Sequence, residues 1–385
     1  MKDLSIYFQP VSSFEELAEE CLGNSIRYHT EGNFPDIDEK GIALIYCPEF
    51  RNGYPELHQS ASTGYRECFA KLNTGPSWNM VIYDLGIILP GETINDTYFA
   101  IHQVASELIK KDVIPVLVGG TQDLTFALYQ GYQSLEQTVN LTCIDSRFDL
   151  GLPDQEIEKD GYISQILMNR PCVLFNHSVI GIQMPYVKQS ELDLFEKLYF
   201  DMCRLGEFNA DFKKAEPLLR NTDILSLDLQ SVRSSDISGT YYTMPNGFYA
   251  EQVCQVVRYA GISDKLTSFG IFNALPENMG ETTHHLIAEI IWYFLDGVAA
   301  RYGDFPVGSK KDYKKFIVHM ENYENDLVFY KSSKSGRWWM EVPYPPKQGV
   351  KYERHSMVPC NYDDYQRAME NEMPDLWWKT YQKLG

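Results

Sequence analysis

The chain has 385 residues, of which 44% are hydrophobic and 23% are charged, and its formal net charge is −19. This length and composition are typical of a folded protein with one large domain or two domains. The acidic balance argues against non-specific binding to nucleic acid, which is itself a polyanion. No apolar run reaches the roughly 18 residues that a membrane-spanning helix needs, so membrane insertion is not expected.

The N-terminal segment MKDLSIYFQPVSSFEELAEE carries acidic side chains where a signal peptide would need an apolar stretch. This predicts a cytoplasmic protein. The eight cysteines are scattered and include no CxxC pair. We therefore expect reduced thiols that pack in the core rather than disulfides or zinc ligands.

Short β-branched or apolar runs alternate with longer helical patterns through the first 300 residues or so. The strand candidates are 42–46, 80–86, 114–118, 141–144, 178–182, 223–229 and 267–272. The helix candidates are 94–110, 122–134, 189–204, 248–261 and 281–300. The alternation predicts an α/β fold of three layers, α/β/α, in which helices cover both faces of a mainly parallel sheet. A ligand site is then expected at the carboxyl ends of the strands.

The pattern changes after about residue 305, which divides the chain into a main domain (1–305) and a C-terminal extension (306–385). The extension has 13 Lys and Arg against 11 Asp and Glu, a balance of +2, so residues 1–305 carry −21. KKFIVHM, DLVFYKS and RWWMEVPY predict a small antiparallel meander. A proline-rich loop, PYPPKQG, and one or two terminal helices are expected to follow it.

Four of the six tryptophans fall in the extension: Trp338, Trp339, Trp377 and Trp378. We favour the interpretation that these rings anchor the extension onto the main domain. The alternative is a surface that binds a partner.

Three of the predicted strands end in polar segments that would meet at one edge of the sheet. These segments are Gly119-Gly120-Thr121-Gln122-Asp123, Asp145-Ser146-Arg147-Phe148-Asp149 and Ser226-Leu227-Asp228-Leu229-Gln230. In this order and spacing they resemble the arginase (ureohydrolase) family, which ends three successive strands with GGDHS, DAHxD and SxDxDxxDP. The segments SGTYYTMPNGFYAEQV and FNALPENMGETTHHLIAEII extend the resemblance to about residues 40–300. Within the family the chain looks closest to the branch labelled formimidoylglutamase.

The resemblance implies an arginase-like fold with a mainly parallel sheet of eight strands, and a pair of Mn²⁺ ions held by six ligands. Two adjacent cations lower the pKa of a bridging water, which supplies hydroxide at neutral pH. The hydroxide attacks the poorly electrophilic carbon of a guanidino or formimidoyl group. Function must still be argued from the residues of the site, because the fold alone does not determine it.

Carried over by position, the site of the first ion keeps three carboxylates, Asp145, Asp149 and Asp228. It has Gln122 in place of a histidine. An amide oxygen can complete an all-oxygen ligand set, so a weak site for a single Mg²⁺ or Ca²⁺ ion is an alternative here.

The site of the second ion would share Asp145 and Asp228, but has Arg147 in place of a histidine and Gln230 in place of an aspartate. Arginine is always charged and offers no acceptor lone pair, so this position would not hold a cation. We expect Arg147 to pair with the aspartates and to replace the ion structurally.

Asn273 falls at the position of a family glutamate that contacts the guanidinium of arginine-like substrates. The family's substrate-side histidine has no counterpart near DGYISQILMNRP, and His177 is interpreted as structural. The adjacent His284 and His285 lack metalloprotease spacing and are assigned a cap or packing role. Cys143 is interpreted as a core residue.

Two functions are consistent with these residues. The first is a catalytically inactive protein of this fold, without a metal cofactor, that acts as a binding or scaffold subunit for a protein partner, a second copy or a small ligand. The second is a divergent, formimidoylglutamase-like hydrolase of linear amidine C–N bonds that uses Mn²⁺. The loss of three ligands out of six favours the first.

Overall fold

The computed structural model describes residues 3–12, 14, 17–57, 64–76, 78–135, 138–151, 159–306, 310–321, 323, 326–344 and 355–384. Nine strands form the sheet of the main domain: β1 (Ile26–Tyr28), β2 (Gly41–Tyr46), β3 (Val81–Ile87), β4 (Val113–Val118), β5 (Val139–Ile144), β6 (Leu174–Ile182), β7 (Asp201–Arg204), β8 (Ile224–Asp228) and β9 (Ser268–Phe272). The helices around it are α1 (Gly64–Ala70), α2 (Ile94–Lys110), α3 (Leu124–Gln133), α4 (Tyr162–Met168), α5 (Gln189–Lys197), α6 (Leu205–Ala210), α7 (Glu216–Arg220), α8 (Ala250–Gly261) and α9 (Glu281–Ala299). Single 3-10 turns lie at Ser5–Tyr7, Leu22–Ser25, Pro55–Leu57, Met184–Tyr186, Phe212–Lys214, Leu229–Ser231 and Pro276–Asn278.

The strand order is β1-β3-β2-β4-β9-β8-β5-β6-β7, and the strands pair in parallel throughout. The predicted α/β architecture is therefore confirmed, with nine strands where eight were expected. The seven predicted strands all form. The two unpredicted ones, β1 and β7, are the short strands at the two edges.

The sheet divides the core into two layers because successive side chains of a strand point to opposite faces. In β2, Ile42 and Leu44 pack in the cluster that contains α1, α8 and α9. Ala43 and Ile45 pack in the cluster that contains α2, α3, α4 and α5. Each strand of the centre is thus buried on both sides, which explains its continuous apolar run.

One predicted helix ends earlier than its pattern indicated. The helix expected over 189–204 ends at Lys197, and Tyr199 then adopts a φ of +56°, which breaks the helical path. The chain re-enters the sheet as the edge strand β7 at Asp201. The last residues of the predicted helix therefore form a strand.

The extension forms a second, antiparallel sheet in the order β10 (Tyr313–Val318), β11 (Leu327–Ser332), β12 (Trp338–Pro343) and β13 (His355–Cys360). The first three strands confirm the predicted meander, and β13 was not predicted. Two helices follow, α10 (Tyr362–Met369) and α11 (Asp375–Leu384). Most of the proline-rich loop, from residue 345 onward, lies outside the described residues.

The burial of the tryptophans of the extension limits the alternative interpretation, in which all four would form a surface that binds a partner. Trp339 is fully buried, and Trp338 and Trp377 are nearly so. Trp377 stacks on Tyr381 with ring centroids 5.0 Å apart. Only Trp378 of the four is exposed, so three of these rings pack inside the structure and are not available as a surface.

Helices long and apolar enough to cross a membrane are absent from the described parts of the chain.

Candidate functional site

Four neighbouring strands bring the predicted site positions to one edge of the sheet. The strands β4, β9, β8 and β5 are consecutive neighbours, and their carboxyl ends lie side by side because they run parallel. Gln122 follows β4, Asn273 follows β9, Asp228 ends β8 and Asp145 follows β5. The structure therefore brings together positions that are distant in the sequence, from Gln122 to Asn273.

Three carboxyl groups form a buried acidic cluster at this edge: Asp145, Asp149 and Asp228, which are 2%, 7% and 6% exposed. Burial raises the pKa of Asp145 to about 6, against the opposing effect of the backbone N–H of Arg147, which donates to its Oδ1 over 2.9 Å. Burial, followed by the charge of Asp145, raises the pKa of both Asp149 and Asp228 well above the ordinary value. Like charges in a low-dielectric site take up protons in this way.

The carboxylate of Asp228 is surrounded by N–H donors of the chain itself. Its Oδ1 accepts from the backbone N–H of Gln230 over 2.8 Å and from Nδ2 of Asn273 over 3.0 Å. Its Oδ2 accepts from Nε2 of Gln230 over 3.4 Å. In the family pattern this carboxylate bridges two ions, whereas here both of its oxygens face donors that would compete with a cation.

Gln122 is fully buried beside the acidic cluster. Its Nε2 donates to Oγ of Ser226 over 3.3 Å, and its amide also interacts with the carboxyl of Asp145. Its Oε1 is buried without a hydrogen-bond partner among the described residues. An unpaired buried acceptor is costly, and its position next to carboxylates is one at which a cation or a water would be stabilised.

Arg147 does not make the predicted pair with the aspartates. Its guanidinium lies 4.5 Å from the ring centroid of Tyr242 and 5.5 Å from that of Tyr186. Within the described parts of the chain, no ion pair within 4.0 Å joins this guanidinium to the acidic cluster. The expectation was wrong because the aromatic rings offer the planar guanidinium a stacking partner.

A layer of cations and tyrosines at the rim of the site was not predicted. Lys159 lies 5.4 Å from the ring centroid of Tyr242 and 5.7 Å from that of Tyr54, and it pairs with Asp160. The backbone N–H of Tyr242 donates to Oε1 of Gln230 over 3.3 Å, which ties this layer to the strand end below. Tyr242 stands in the segment SGTYYTMPNG, but nothing in the sequence distinguishes it there.

Two further residues weighed from the sequence, His177 and Cys143, are core residues. His177 is fully buried between Phe195 and Phe200, with Nδ1 3.3 Å from the carbonyl oxygen of Leu141. Cys143 is buried in β5 with Sγ 3.3 Å from the hydroxyl of Tyr162. Burial raises the pKa of the Cys143 thiol well above its ordinary value, which makes it a poor nucleophile.

The model of the arginase family matches residues 51–296, which is more than half of the chain. The chain belongs to the arginase family.

Several solved structures share this fold. Formiminoglutamase of Trypanosoma cruzi with Mn²⁺ superposes with a TM-score of 0.61 at 15% identity, covering 68% of this chain and 94% of that one. Formimidoylglutamase of Bacillus subtilis gives 0.61 at 16% identity, covering 70% and 89%. Arginase of Bacillus subtilis gives 0.56 at 15% identity, covering 70% and 100%. Among curated proteins, none matches the chain.

The donor set of this chain does not fit the family's pair of Mn²⁺ ions. Among the residues that the structure describes, no group of three or more His, Cys, Asp or Glu side chains has the arrangement of a metal site. Of the two residues that replace ligands of the second ion in the family pattern, Arg147 is a cation whose side chain lies against Tyr242, and Gln230 directs two N–H groups at Asp228. Neither replacement offers the imidazole or carboxylate that such an ion takes.

Proposed function

We propose that this chain is a non-hydrolytic member of the arginase family, a binding or scaffold subunit that acts on a protein partner, a second copy or a small ligand without the two-metal chemistry. The observation that carries the proposal is the environment of Asp228. A carboxylate that would bridge two ions instead accepts three N–H groups from Gln230 and Asn273.

The chemistry of amidine hydrolysis explains why this observation matters. A guanidino or formimidoyl carbon is a poor electrophile, so attack by water at neutral pH requires a strongly activated hydroxide. A general base among the described side chains would have to replace both ions. The buried carboxyls do not supply what the ions would, because a carboxylate can accept a proton from water but cannot polarise the substrate or hold a hydroxide as a cation does.

A second candidate, a divergent formimidoylglutamase-like hydrolase, is favoured by one specific observation. Asp145 and Asp149 are retained next to Gln122, whose Oε1 is buried and without a partner among the described residues. One Mn²⁺, Mg²⁺ or Ca²⁺ ion held by these oxygens would satisfy the orphaned acceptor and neutralise the carboxylates. Such an ion would leave the second position of the family unfilled.

Metal content and turnover separate the two candidates. The full chain would be purified with MnCl₂, dialysed, and analysed for bound manganese, and then assayed for release of ammonia, formamide or urea from N-formimidoylglutamate, arginine and agmatine. We expect less than one tenth of an ion per chain and no release above that of the Asp145→Asn variant. Stoichiometric manganese with turnover that the Asp145→Asn variant lacks would establish the hydrolase.

A restoring variant tests the physical reason for the loss. Replacing Gln122→His, Arg147→His and Gln230→Asp together rebuilds the ligand types of the family pattern, and we expect this variant to bind manganese. The single variant Arg147→His is the matched control, since it removes the cation but leaves Gln230 directed at Asp228. If the triple variant binds no more metal than the parent, the three replacements are not what prevents binding.

A further inference from the structure

A groove with a volume of about 610 Å³ lies at the carboxyl ends of β6 and β7. Ile182 ends β6, Arg204 ends β7, and both line its wall. We call it the two-arginine groove, because Arg233 of the loop after β8 also lines it. Its size is that of a site for a small organic molecule, and the carboxyl ends of parallel strands are where open α/β sheets bind ligands.

The groove is separate from the acidic cluster. None of the six positions that the family motifs indicate lines it. The two sites are neighbours through the turn Met184–Tyr186, since Met184 lines the groove while the ring of Tyr186 lies beside Arg147. The inference drawn from the groove therefore does not depend on whether the acidic cluster binds metal.

Arg233 is held in a fixed orientation by two contacts. Its Nε donates to Asp236 over 2.9 Å, and its guanidinium carbon lies 3.6 Å from the ring centroid of Tyr249. The two Nη groups find no acceptor among the described residues. A guanidinium that is stacked and paired on one edge presents the other edge for a forked contact at little cost in side-chain entropy.

Arg204 supplies a second positive charge without an acidic partner in the described parts of the chain. Glu207 is the one carboxylate on the groove wall, and its Oε2 is engaged as the cap of α6, where it accepts from the backbone N–H of Arg204 over 3.0 Å. Two arginines thus line one groove in a chain whose net charge is −19. Asp236 and Glu207 offset part of this charge, so the contact with an anion would depend on the N–H groups that the two guanidinium groups leave unpaired.

The rest of the wall is largely apolar. It includes Met184, Pro185, Leu205, Pro245 and Tyr249. We propose that the two-arginine groove binds a small organic anion, with its carboxylate or phosphate held by Arg204 and Arg233 and its apolar body against these side chains. Charge-assisted, forked hydrogen bonds from arginine suit either acid group.

Calorimetric titration of the full chain tests this proposal at low ionic strength, where charge contacts are least screened. The probes are phenylacetate and phenyl phosphate, which share an apolar ring and differ in the acid group. Phenylacetamide is the neutral control and inorganic phosphate is the control without an apolar body. We expect at least one of the two aromatic anions to bind at millimolar concentration or below, and at least tenfold more tightly than either control.

Substitutions assign the binding to the groove. Arg204→Gln and Arg233→Gln should each weaken the binding probe by about ten- to a hundredfold, the effect of losing a charge-assisted hydrogen bond. Arg233→Lys keeps the charge but cannot make the forked pair of hydrogen bonds, so its affinity for the probe should lie between those of Arg233→Gln and the parent. The matched control is Arg27→Gln, because Arg27 is a surface arginine on β1 at the opposite edge of the sheet. Circular dichroism confirms that each variant is folded.

Two results would overturn the proposal. One is that neither aromatic anion binds the parent chain at millimolar concentration. The other is that binding survives both Arg204→Gln and Arg233→Gln, and its loss in Arg147→Gln would then place the anion near Arg147 instead.

Discussion

The acidic cluster and the junction between the two sheets both bury charge, but they compensate it differently. At the junction, Arg220 of α7 is 3% exposed. It donates to the carbonyl oxygens of Trp338 over 3.0 Å and of Cys360 over 2.9 Å, and pairs with Glu216 over 3.1 Å. Its guanidinium also lies 4.7 Å from the ring of Trp339. One buried cation is therefore in contact with four groups from both parts of the chain, and its Nε alone lacks a hydrogen-bond partner among the described residues.

In the acidic cluster the compensation is incomplete. Three carboxyl groups share one buried region, and the nearest guanidinium, that of Arg147, stacks on Tyr242 instead of pairing with them. Buried like charges cost free energy unless they take up protons or bind a cation. We therefore expect the junction to stabilise the fold and the acidic cluster, in the absence of a cation, to weaken it.

Removal of Arg220 should have the largest effect. Arg220→Met leaves the carbonyl groups of β12 and β13 and the carboxylate of Glu216 without their buried cation, and we expect a loss of about 3–5 kcal/mol in the free energy of unfolding. Urea unfolding followed by tryptophan fluorescence measures it, since Trp338 and Trp339 lie at the junction. Arg27→Met, at an exposed ion pair, is the control and should change stability by less than about 1 kcal/mol. Equal stability of the two variants would mean that the junction does not depend on this cation.

His177 provides a second test, because it is a buried group that avoids charge altogether. Burial lowers its pKa from 6.5 to about 4, opposed by the carbonyl oxygen of Leu141 and by the charge of Asp201, while Lys383 acts in the same direction as burial. Above pH 6.5 the side chain is neutral in both states. As the pH falls below 6.5, His177 becomes protonated in the unfolded chain but stays neutral in the folded chain until about pH 4. The free energy of unfolding therefore decreases between pH 6.5 and about pH 4.

The expected size of this effect is roughly 3 kcal/mol, which corresponds to the change in pKa from 6.5 to about 4. The free energy of unfolding, measured with urea, should therefore fall less between pH 7 and pH 4.5 in His177→Phe than in the parent, by about 2–3 kcal/mol. Phenylalanine is the matched replacement because Phe195 and Phe200 already surround the ring. An identical acid loss in both proteins would show that His177 does not carry the difference.

A substitution that removes a charge from the acidic cluster should stabilise the fold, whereas removal of the charge at the junction should destabilise it. Asp149→Asn removes one of three buried like charges, and asparagine tolerates the left-handed φ of +49° that Asp149 adopts. We expect a gain of about 0.5–2 kcal/mol at pH 7 without added metal, seen as a higher melting temperature. Asp38→Asn, on an exposed carboxylate, is the control. A destabilised variant, above all in the presence of Mn²⁺, would indicate that an ion compensates the cluster.

The sequence predicts the parallel strands and the polar residues at their ends, but not the edge strands or the contacts of the site. Three polar segments follow strands whose apolar runs are continuous, so the meeting of Asp145 and Asp228 at one edge follows from parallel pairing alone. The edge strand Asp201–Arg204 has no such signal. Its four residues continue a helical pattern, and the break depends on the backbone conformation of Tyr199.

The details of the site depend on contacts between distant segments, which sequence patterns do not encode. The side chain of Arg147 points to Tyr242, 95 positions further along the chain, because a loop folds over the strand ends. The two arginines of the groove likewise come from different loops. Arg204 lies at the end of the helix predicted over 189–204, and Arg233 lies just beyond the third polar segment, which ends at Gln230.

The smallest effect on stability is expected at Trp378, whose substitution tests whether the extension offers a contact surface. Trp378 is 50% exposed, whereas its neighbour Trp377 is buried against Tyr381. Trp378→Ser should change the free energy of unfolding by no more than about 0.5 kcal/mol, as is usual for a surface position. Trp377→Ser is the matched control and should cost about 3 kcal/mol or more, since it empties a buried aromatic site.

Sedimentation velocity of the folded Trp378→Ser variant then tests the surface without a change in the fold. If the ring contacts a second copy of the chain, self-association weakens, and an unchanged distribution in both proteins removes Trp378 as a self-association contact.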